Sequence, residues 1–428
     1  MSNVLMLSAI VMLVLLFFKV PVFIAVLGGS MVYFVMNPGI NTVIFAQQAI
    51  IGTEKISLMA IPFFVCAGIF MNYTGVTKRI MDFCEVVTGR LPGGLAQVNV
   101  LLSTVMGGLS GSNIADAAME SKMMVPEMTK KGFSLEFSSV VTAASSMITP
   151  LIPPGIAMIL YGCIANVSIG KLFISGLGVG GLLCVSMMIL VGFVSKKRGY
   201  GILTTEKMTW SKFWTALKPA ILPLLLPIII IGGIRIGIFT ATEAGAVAIL
   251  YAAFLGLIYH EMHIKDMIQG LKETVCTTAS IMLIVSAASV FSWILTKERI
   301  PQALTAWMLA NIHSKYVFLI VVNIFLLIVG MFIEGNASMI ILVPLLAPIA
   351  AQYGINENQF AMIYIFNNAI GALSPPMGTL MFVTCSITKC KTAAFIKEAV
   401  PFYILLIINL MLLTWVEPFT TFLVNLFY

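Results

Sequence analysis

Four stretches of this sequence bring breaks in the backbone and side-chain oxygens together. The first, Gly107-Gly108-Leu109-Ser110-Gly111-Ser112-Asn113, interrupts an apolar run. Its glycines permit a tight turn, and its Ser and Asn oxygens can satisfy exposed backbone or ligate an ion. The second, residues 143–155, carries Ser145, Ser146 and Thr149 ahead of or among Pro150, Pro153 and Pro154, so it cannot run as one continuous helix. Glu334-Gly335-Asn336-Ala337-Ser338 and residues 367–378, with Asn367, Asn368, Gly371, Ser374, Pro375 and Pro376, repeat the device. Freed carbonyls with hydroxyl and amide oxygens suit a small hard cation, while half-helix N-termini offer partial positive charge to an anion. No Lys or Arg lies in any of the four stretches. A carboxylate bound here would depend on helix ends and a co-bound cation. Asp116 follows Asn113 by three residues, the spacing of an N-cap with an acid in the first turn, so capping is its expected role. Any one break could be a packing kink, but four of them point to a binding site at the middle of a membrane.

The elements that must hold such a site are membrane helices. Of 428 residues, 60% are hydrophobic and only 10% charged, too few charges for a soluble surface. Long apolar runs without strict alternation predict an all-α polytopic membrane protein and exclude a β-barrel. The net charge of +7 does not mark a nucleic-acid binder, because the 24 Lys and Arg lie between apolar segments. The run at 4–18 has no basic region before it and no small-residue cleavage site, and reads as a retained span. Seven cysteines without a Cys-x-x-Cys pair read as buried apolar residues, and His260-Glu261-Met262-His263 lacks the H-E-x-x-H spacing of a zinc helix. No G-x-S-x-G turn and no G-x-x-x-x-G-K-[ST] loop is present, which argues against an intramembrane hydrolase and against ATP-driven transport, and so against an enzyme.

The chain also matches itself at an offset of 222 residues. Gly108 falls on Gly330, Pro126 on Pro348, Gly132 on Gly354, Pro153-Pro154 on Pro375-Pro376 and Cys163 on Cys385. Paired prolines and turn glycines are scarce inside helices, so this predicts two copies: residues 1–206 and 223–428, joined by a connector at 207–222. Each copy is expected to cross the bilayer about five times and to add a re-entrant hairpin, at 93–126 and 317–350. An odd number of crossings inverts the second copy. This topology puts 18 of the Lys and Arg on the cytoplasmic side and six on the other, with both termini outside. In the connector, Trp210, Phe213 and Trp214 with Lys207, Lys212 and Lys218 suggest an interfacial amphipathic helix.

The tip at 107–116, the Leu91-Pro92-Gly93-Gly94-Leu95 approach, the broken helix at 142–162, Thr240-Ala241-Thr242-Glu243-Ala244 and the break at 373–378 together resemble the large membrane subunit of tripartite ATP-independent periplasmic (TRAP) transporters. The resemblance runs the whole length and implies an elevator-type, sodium-driven importer in the bacterial inner membrane. It implies a small membrane subunit, a periplasmic substrate-binding protein and a small carboxylate substrate: a C4-dicarboxylate, sialic acid, 2-oxoacid or sugar acid. By position it implies a first sodium site at Ser110, Gly111, Ser112, Asn113, Thr149, Pro150 and Pro153. A second follows at Gly335, Asn336, Ser338, Gly371, Ser374 and Pro375, with substrate near Ser103, Ser145, Ser146, Glu334, Asn367 and Asn368. The alternatives are a stand-alone sodium- or proton-coupled organic-anion carrier, or a channel.

Overall fold

The computed structural model describes residues 3–18, 20–204 and 209–428. Its regular structure is helical throughout the described residues. The first stretch comprises α1 (Asn3–Phe17), α2 (Val22–Met36), α3 (Val43–Ile51), α4 (Ala60–Tyr73), α5 (Val76–Thr88), α6 (Gly94–Ser110), α7 (Asn113–Lys130), α8 (Leu135–Ser145), α9 (Ile156–Ala165) and α10 (Ile169–Arg198). There follow α11 (Trp210–Arg235), α12 (Ala241–Tyr259), α13 (Ile264–Lys297), α14 (Ile300–Asn311), α15 (Lys315–Phe332), α16 (Gly335–Gln352), α17 (Glu357–Leu373), α18 (Thr379–Thr388), α19 (Thr392–Trp415) and α20 (Pro418–Phe427). Among the described residues eight helical segments are long and apolar enough to cross a bilayer, and α8 with α9 makes a ninth bent by 41°.

The breaks fall where the prolines put them. α8 passes into a 3-10 turn over Ser146–Leu151, which ends before Pro153-Pro154, and α17 stops at Leu373 before Pro375-Pro376. Both Pro-Pro bonds are cis. The second arms of the two hairpins, α7 and α16, start and stop at the same positions once the offset of 222 is applied. Ser103 of α6 meets Glu120 of α7, and the Phe318 ring of α15 stacks on Tyr353 just beyond α16, so each pair of arms folds back on itself. The second arms then cross over: α7 packs on α18, and α16 packs on α9.

α8 is almost wholly buried and α17 is buried from Asn358 to Leu373, which makes them the centre of the molecule. Large apolar side chains instead cover the outside, as on α10 (Val185, Ile189, Phe193) and α19 (Ile404, Ile407, Ile408). Buried hydroxyls and amides with an apolar rind are what a hydrocarbon solvent selects.

The sequence has apolar stretches at 275–295 and 399–425, each of which reads as one span, and several boundaries differ from such readings. The apolar stretch at 399–425 is two helices, because Glu417-Pro418 starts α20, which returns to α10 through Ser175 Oγ donating to Thr420 O at 2.6 Å. The stretch at 275–295 is the inner part of the 34-residue α13. The described part of the connector is no separate helix: Trp210, Phe213 and Trp214 open the 26-residue α11. Lys19, and Lys207 at the start of the connector, lie outside the described residues.

Candidate functional site

The first tip is a two-residue turn, Gly111-Ser112, between α6 and α7. Gly111 sits at φ +63°, and a Cβ there would lie 2.8 Å from the Pro154 carbonyl oxygen, so backbone meets backbone. Its own carbonyl accepts from Ile156 N at 3.4 Å. Gly107 presses on Thr149 and Gly108 on Pro153, which seats the tip against the proline break. Ser112 is the N-cap of α7, its Oγ accepting from Ala115 N at 3.5 Å, while Asn113 Oδ1 accepts from Ile114 N. This corrects the role expected of Asp116. The residue is 1% exposed and caps nothing; its Oδ2 accepts from Thr149 Oγ1 at 2.7 Å, tying α7 to the 3-10 turn. Ser110 accepts from Ser112 N.

One turn further along α7, Glu120 is fully buried, with Oε2 2.6 Å from Ser103 Oγ, and Ser103 in turn 2.8 Å from Ser145 Oγ. Asn99 Nδ2 donates to Thr142 Oγ1 at 2.6 Å beside them. Asp116, Glu120, Asn99 and Thr142 did not stand out as ligands in the sequence. Their available signal was two acids four residues apart in a chain with few charges.

The second tip uses amides. Glu334 is the N-cap of α16, its Oε2 accepting from Ala337 N at 3.1 Å. Ser338 Oγ donates to Asn368 Oδ1 at 3.0 Å, Asn368 Nδ2 donates to Gly335 O at 3.2 Å, and Tyr364 Oη donates to Ser338 O at 3.1 Å. Gly371 and Gly330 bring α17 and α15 into backbone contact, since a Cβ on Gly371 would stand 2.6 Å from Gly330 Cα. Asn367 turns the other way, donating to Asn323 Oδ1 at 2.9 Å. Ser374 Oγ donates back to Ile370 O.

One cavity of about 50 Å³ lies between the two tips, lined by Asn113, Pro150, Glu334, Gly335, Asn336, Asn368 and apolar neighbours that include Ala157. Thr379 completes its wall. First-turn residues of four helices thus meet here: Asn113 (α7), Gly335 (α16), Ala157 (α9) and Thr379 (α18). The positive ends of their dipoles gather here without a cationic side chain, although Ser112, Asn113 and Glu334 already cap part of the first-turn N–H groups. At this volume the cavity has room for one or two water-sized groups, not for an organic acid. Ser103, Ser145, Ser146 and Asn367 do not line it. Ser146 Oγ donates to Ala143 O, and Ser103 and Ser145 belong to the Glu120 cluster. Neither Asp116, Glu120 nor Glu334 has an ion-pair partner among the described residues.

Bilayer-length helices around a cavity built from broken segments are the construction of a membrane transporter, and two solved transporters share this fold. They are YdaH of Alcanivorax borkumensis (TM-score 0.55, 14% identity, 84% of this chain and 86% of that one) and MtrF of Neisseria gonorrhoeae (TM-score 0.51, 12% identity, 87% and 83%). The chain belongs to the family described as the tripartite ATP-independent periplasmic transporter, DctM component, which it matches over residues 9–419. It is 38% identical over 414 residues to the sialic acid TRAP transporter large permease SiaM of Vibrio cholerae, covering 96% of each chain. It is 34% identical to the C4-dicarboxylate large permease DctM of Pseudomonas aeruginosa and 33% identical to the 2,3-diketo-L-gulonate large permease YiaN of Escherichia coli, in both cases with 85% of each chain covered. The protein is therefore a multi-pass permease of the bacterial inner membrane and not an enzyme. Membership implies a small membrane subunit and a periplasmic binding protein as partners.

Proposed function

We propose that this permease imports a small carboxylate, handed over by a periplasmic binding protein, with sodium as the coupling ion. The observation that carries the reading is the single cavity into which both hairpin tips and both broken helices feed. Four helix N-termini attract a carboxylate there, and the site holds no fixed cation that would make binding independent of sodium. Sodium completes it. The first ion sits among Ser110, Gly111, Ser112, Asn113, Thr149, Pro150 and Pro153, and the second among Gly335, Asn336, Ser338, Gly371, Ser374 and Pro375. Both sets are rich in carbonyl and hydroxyl oxygens, the ligands a hard cation prefers. Glu334 and Asn368 face the substrate, and Ser103, Ser145, Ser146 and Asn367 support the walls behind them.

The matching bounds of α7 and α16 support a two-copy, inverted organisation with both termini outside. The crossed packing of α7 on α18 and α16 on α9 supports the movement of both hairpins as one body, an elevator against a scaffold enlarged by the small subunit. The cavity is too small for an organic acid, so loading requires it to open. Relatives named for sialic acid, C4-dicarboxylates and diketogulonate share a carboxylate, which supports a carboxylate substrate, although isethionate, for which another relative is named, is a sulfonate.

The test is uptake into proteoliposomes by the permease with its small subunit, supplying binding proteins one at a time. The expected result is uptake of one carboxylate that needs both a binding protein and an inward sodium gradient. Equal uptake without sodium, or by the permease alone, would overturn the reading.

A further inference from the structure

Two acids of the site region, Asp116 and Glu120, belong neither to the cavity lining nor to the proposed sodium ligands; Asp116 is tied to Thr149, one of those ligands, and Glu120 is not. Glu120 is fully buried on α7, one turn from the equally buried Asp116, and its Oε1 has no hydrogen-bonding partner among the described residues. Its other oxygen makes a 2.6 Å contact with Ser103 Oγ. Ionised carboxylates buried in proteins gather several donors, and here the nearby hydroxyls can supply at most one.

The hydrogens around Ser103 can be counted. Four close oxygen pairs meet there: Glu120 Oε2 with Ser103 Oγ at 2.6 Å, Ser103 Oγ with Ser145 Oγ at 2.8 Å, Ser103 Oγ with Asn99 O at 3.1 Å, and Ser145 Oγ with Thr142 O at 3.1 Å. Each pair needs one hydrogen, and the two serines have one each. A hydrogen on Glu120 supplies a third, which serves three of the four pairs and leaves Ser145 to donate either to Ser103 Oγ or to Thr142 O. Glu120 then donates to Ser103, which is free to donate to Asn99 O, and no bare charge stands beside Asp116.

The surroundings offer no cation to do this instead. Of the elements packed on α7, α6 and the 3-10 turn contain no ionisable residue, α8 contributes only Glu136 in its first turn, and α18 only Cys385. Cys84 of α5 lies within electrostatic reach. On α7 itself Asp116 is the near neighbour, and Lys122, two residues on, is exposed and points elsewhere.

We infer that Glu120 is a proton-binding site of the carrier: a neutral carboxylic acid that donates to Ser103, and that releases and regains its proton as the first hairpin changes its exposure. The release step rests on the import reading above; proton binding in the structure described does not. No bond other than O–H forms or breaks, and the proton exchanges with water on whichever side the hairpin faces. Uptake then depends on pH as well as on sodium.

Two measurements test this. Infrared spectra of the purified full-length chain in lipid nanodiscs should show, at neutral pH, the carbonyl stretch of a protonated carboxylic acid. That band should be missing from Glu120→Gln, retained in Asp116→Asn, and lost from wild type as the pH is raised. Should the Gln variant not yield monodisperse protein, Glu120→Asp displaces the band rather than removing it. Identical wild-type and Glu120→Gln spectra would overturn the proton site. In proteoliposomes holding the permease with its small subunit, supplied with a binding protein at a fixed sodium gradient, uptake of radiolabelled sialic acid, with a C4-dicarboxylate as second probe, should change by up to about tenfold per pH unit in wild type and flatten in Glu120→Gln. A protonated band with unchanged pH profiles would overturn release during transport. Failure of every variant and wild type to take up either probe would count against the import reading, while the spectra would still decide Glu120.

Discussion

At the offset of 222, Ser112 and Asp116 of the first hairpin fall on Glu334 and Ser338 of the second, so each tip holds one hydroxyl and one acid in opposite order. In the first, serine caps the helix and the acid is drawn a turn inward to Thr149. In the second, the acid caps the helix at the rim of the cavity and the serine bonds Asn368. A carboxylate at a helix N-terminus is stabilised by that helix by about 0.3–1 kcal/mol. One buried a turn deeper has lost much of that help, and Asp116 has no cation beside it. The comparison teaches that the two tips bear charge differently: the second stabilises its acid from its own backbone, the first from a hydroxyl of the broken helix. Around the acids the contrast continues, with hydroxyls and a second carboxylate in the first half and Asn323, Asn367 and Asn368 in the second.

The most drastic way to break the comparison is topological. Lys131 and Asn356 follow equivalent hairpin arms, and inversion puts them on opposite faces. Single cysteines at the two positions should be labelled by an impermeant reagent from opposite sides only, Lys131→Cys from the cytoplasm and Asn356→Cys from outside. Labelling from the same side would end any account based on inverted halves.

Next in size is the acid itself. Asp116→Asn keeps the shape and removes the charge, and loss of a charged hydrogen bond of about 1.5–3 kcal/mol predicts a fall in uptake of roughly 10- to 100-fold. Glu334→Gln should cost less, about fivefold, since its main bond is a cap worth about 1 kcal/mol. Equal losses in the two variants would mean that the position of the acid does not matter.

Packing gives a third contrast. Gly371→Ala forces α17 away from Gly330 and should destabilise the second half by about 1–3 kcal/mol, read as a lower thermal midpoint in detergent. An unchanged midpoint would show that α15 yields freely. The smallest effects are expected of Ser112→Ala and Asn336→Ala. Each should raise the sodium concentration for half-maximal uptake a few-fold, in line with an ordinary hydrogen bond of about 0.5–1.5 kcal/mol, and leave the protein folded. Unchanged sodium dependence in both would reduce the tips to packing devices.

How much of this the sequence disclosed depended on whether a signal was local. Gly111, Ser112, Pro153 and Pro375 announce their breaks because glycine and proline act on their own backbone, and the ends of α7 and α16 follow from the offset. The role of Asp116 was misjudged because its partner, Thr149, is 33 residues away. Glu120 stayed hidden for a related reason: Lys122, Glu127 and Lys130 stand on the same helix, and only tertiary packing turns Glu120 inward. The split of 399–425 at Glu417-Pro418 was visible in the proline but was outweighed by apolarity on both sides.

The crossed packing of the hairpins also bears on how the protein is made. α7 leaves the ribosome some 250 residues before α18, the helix that covers it, an interval on the order of 10–50 s at the usual pace of translation. Through that interval the helix carrying Asp116 and Glu120 has α6, α8 and the 3-10 turn to pack on, but not α18. The cavity, walled by both halves as far along as Thr379, comes into being only as synthesis nears its close.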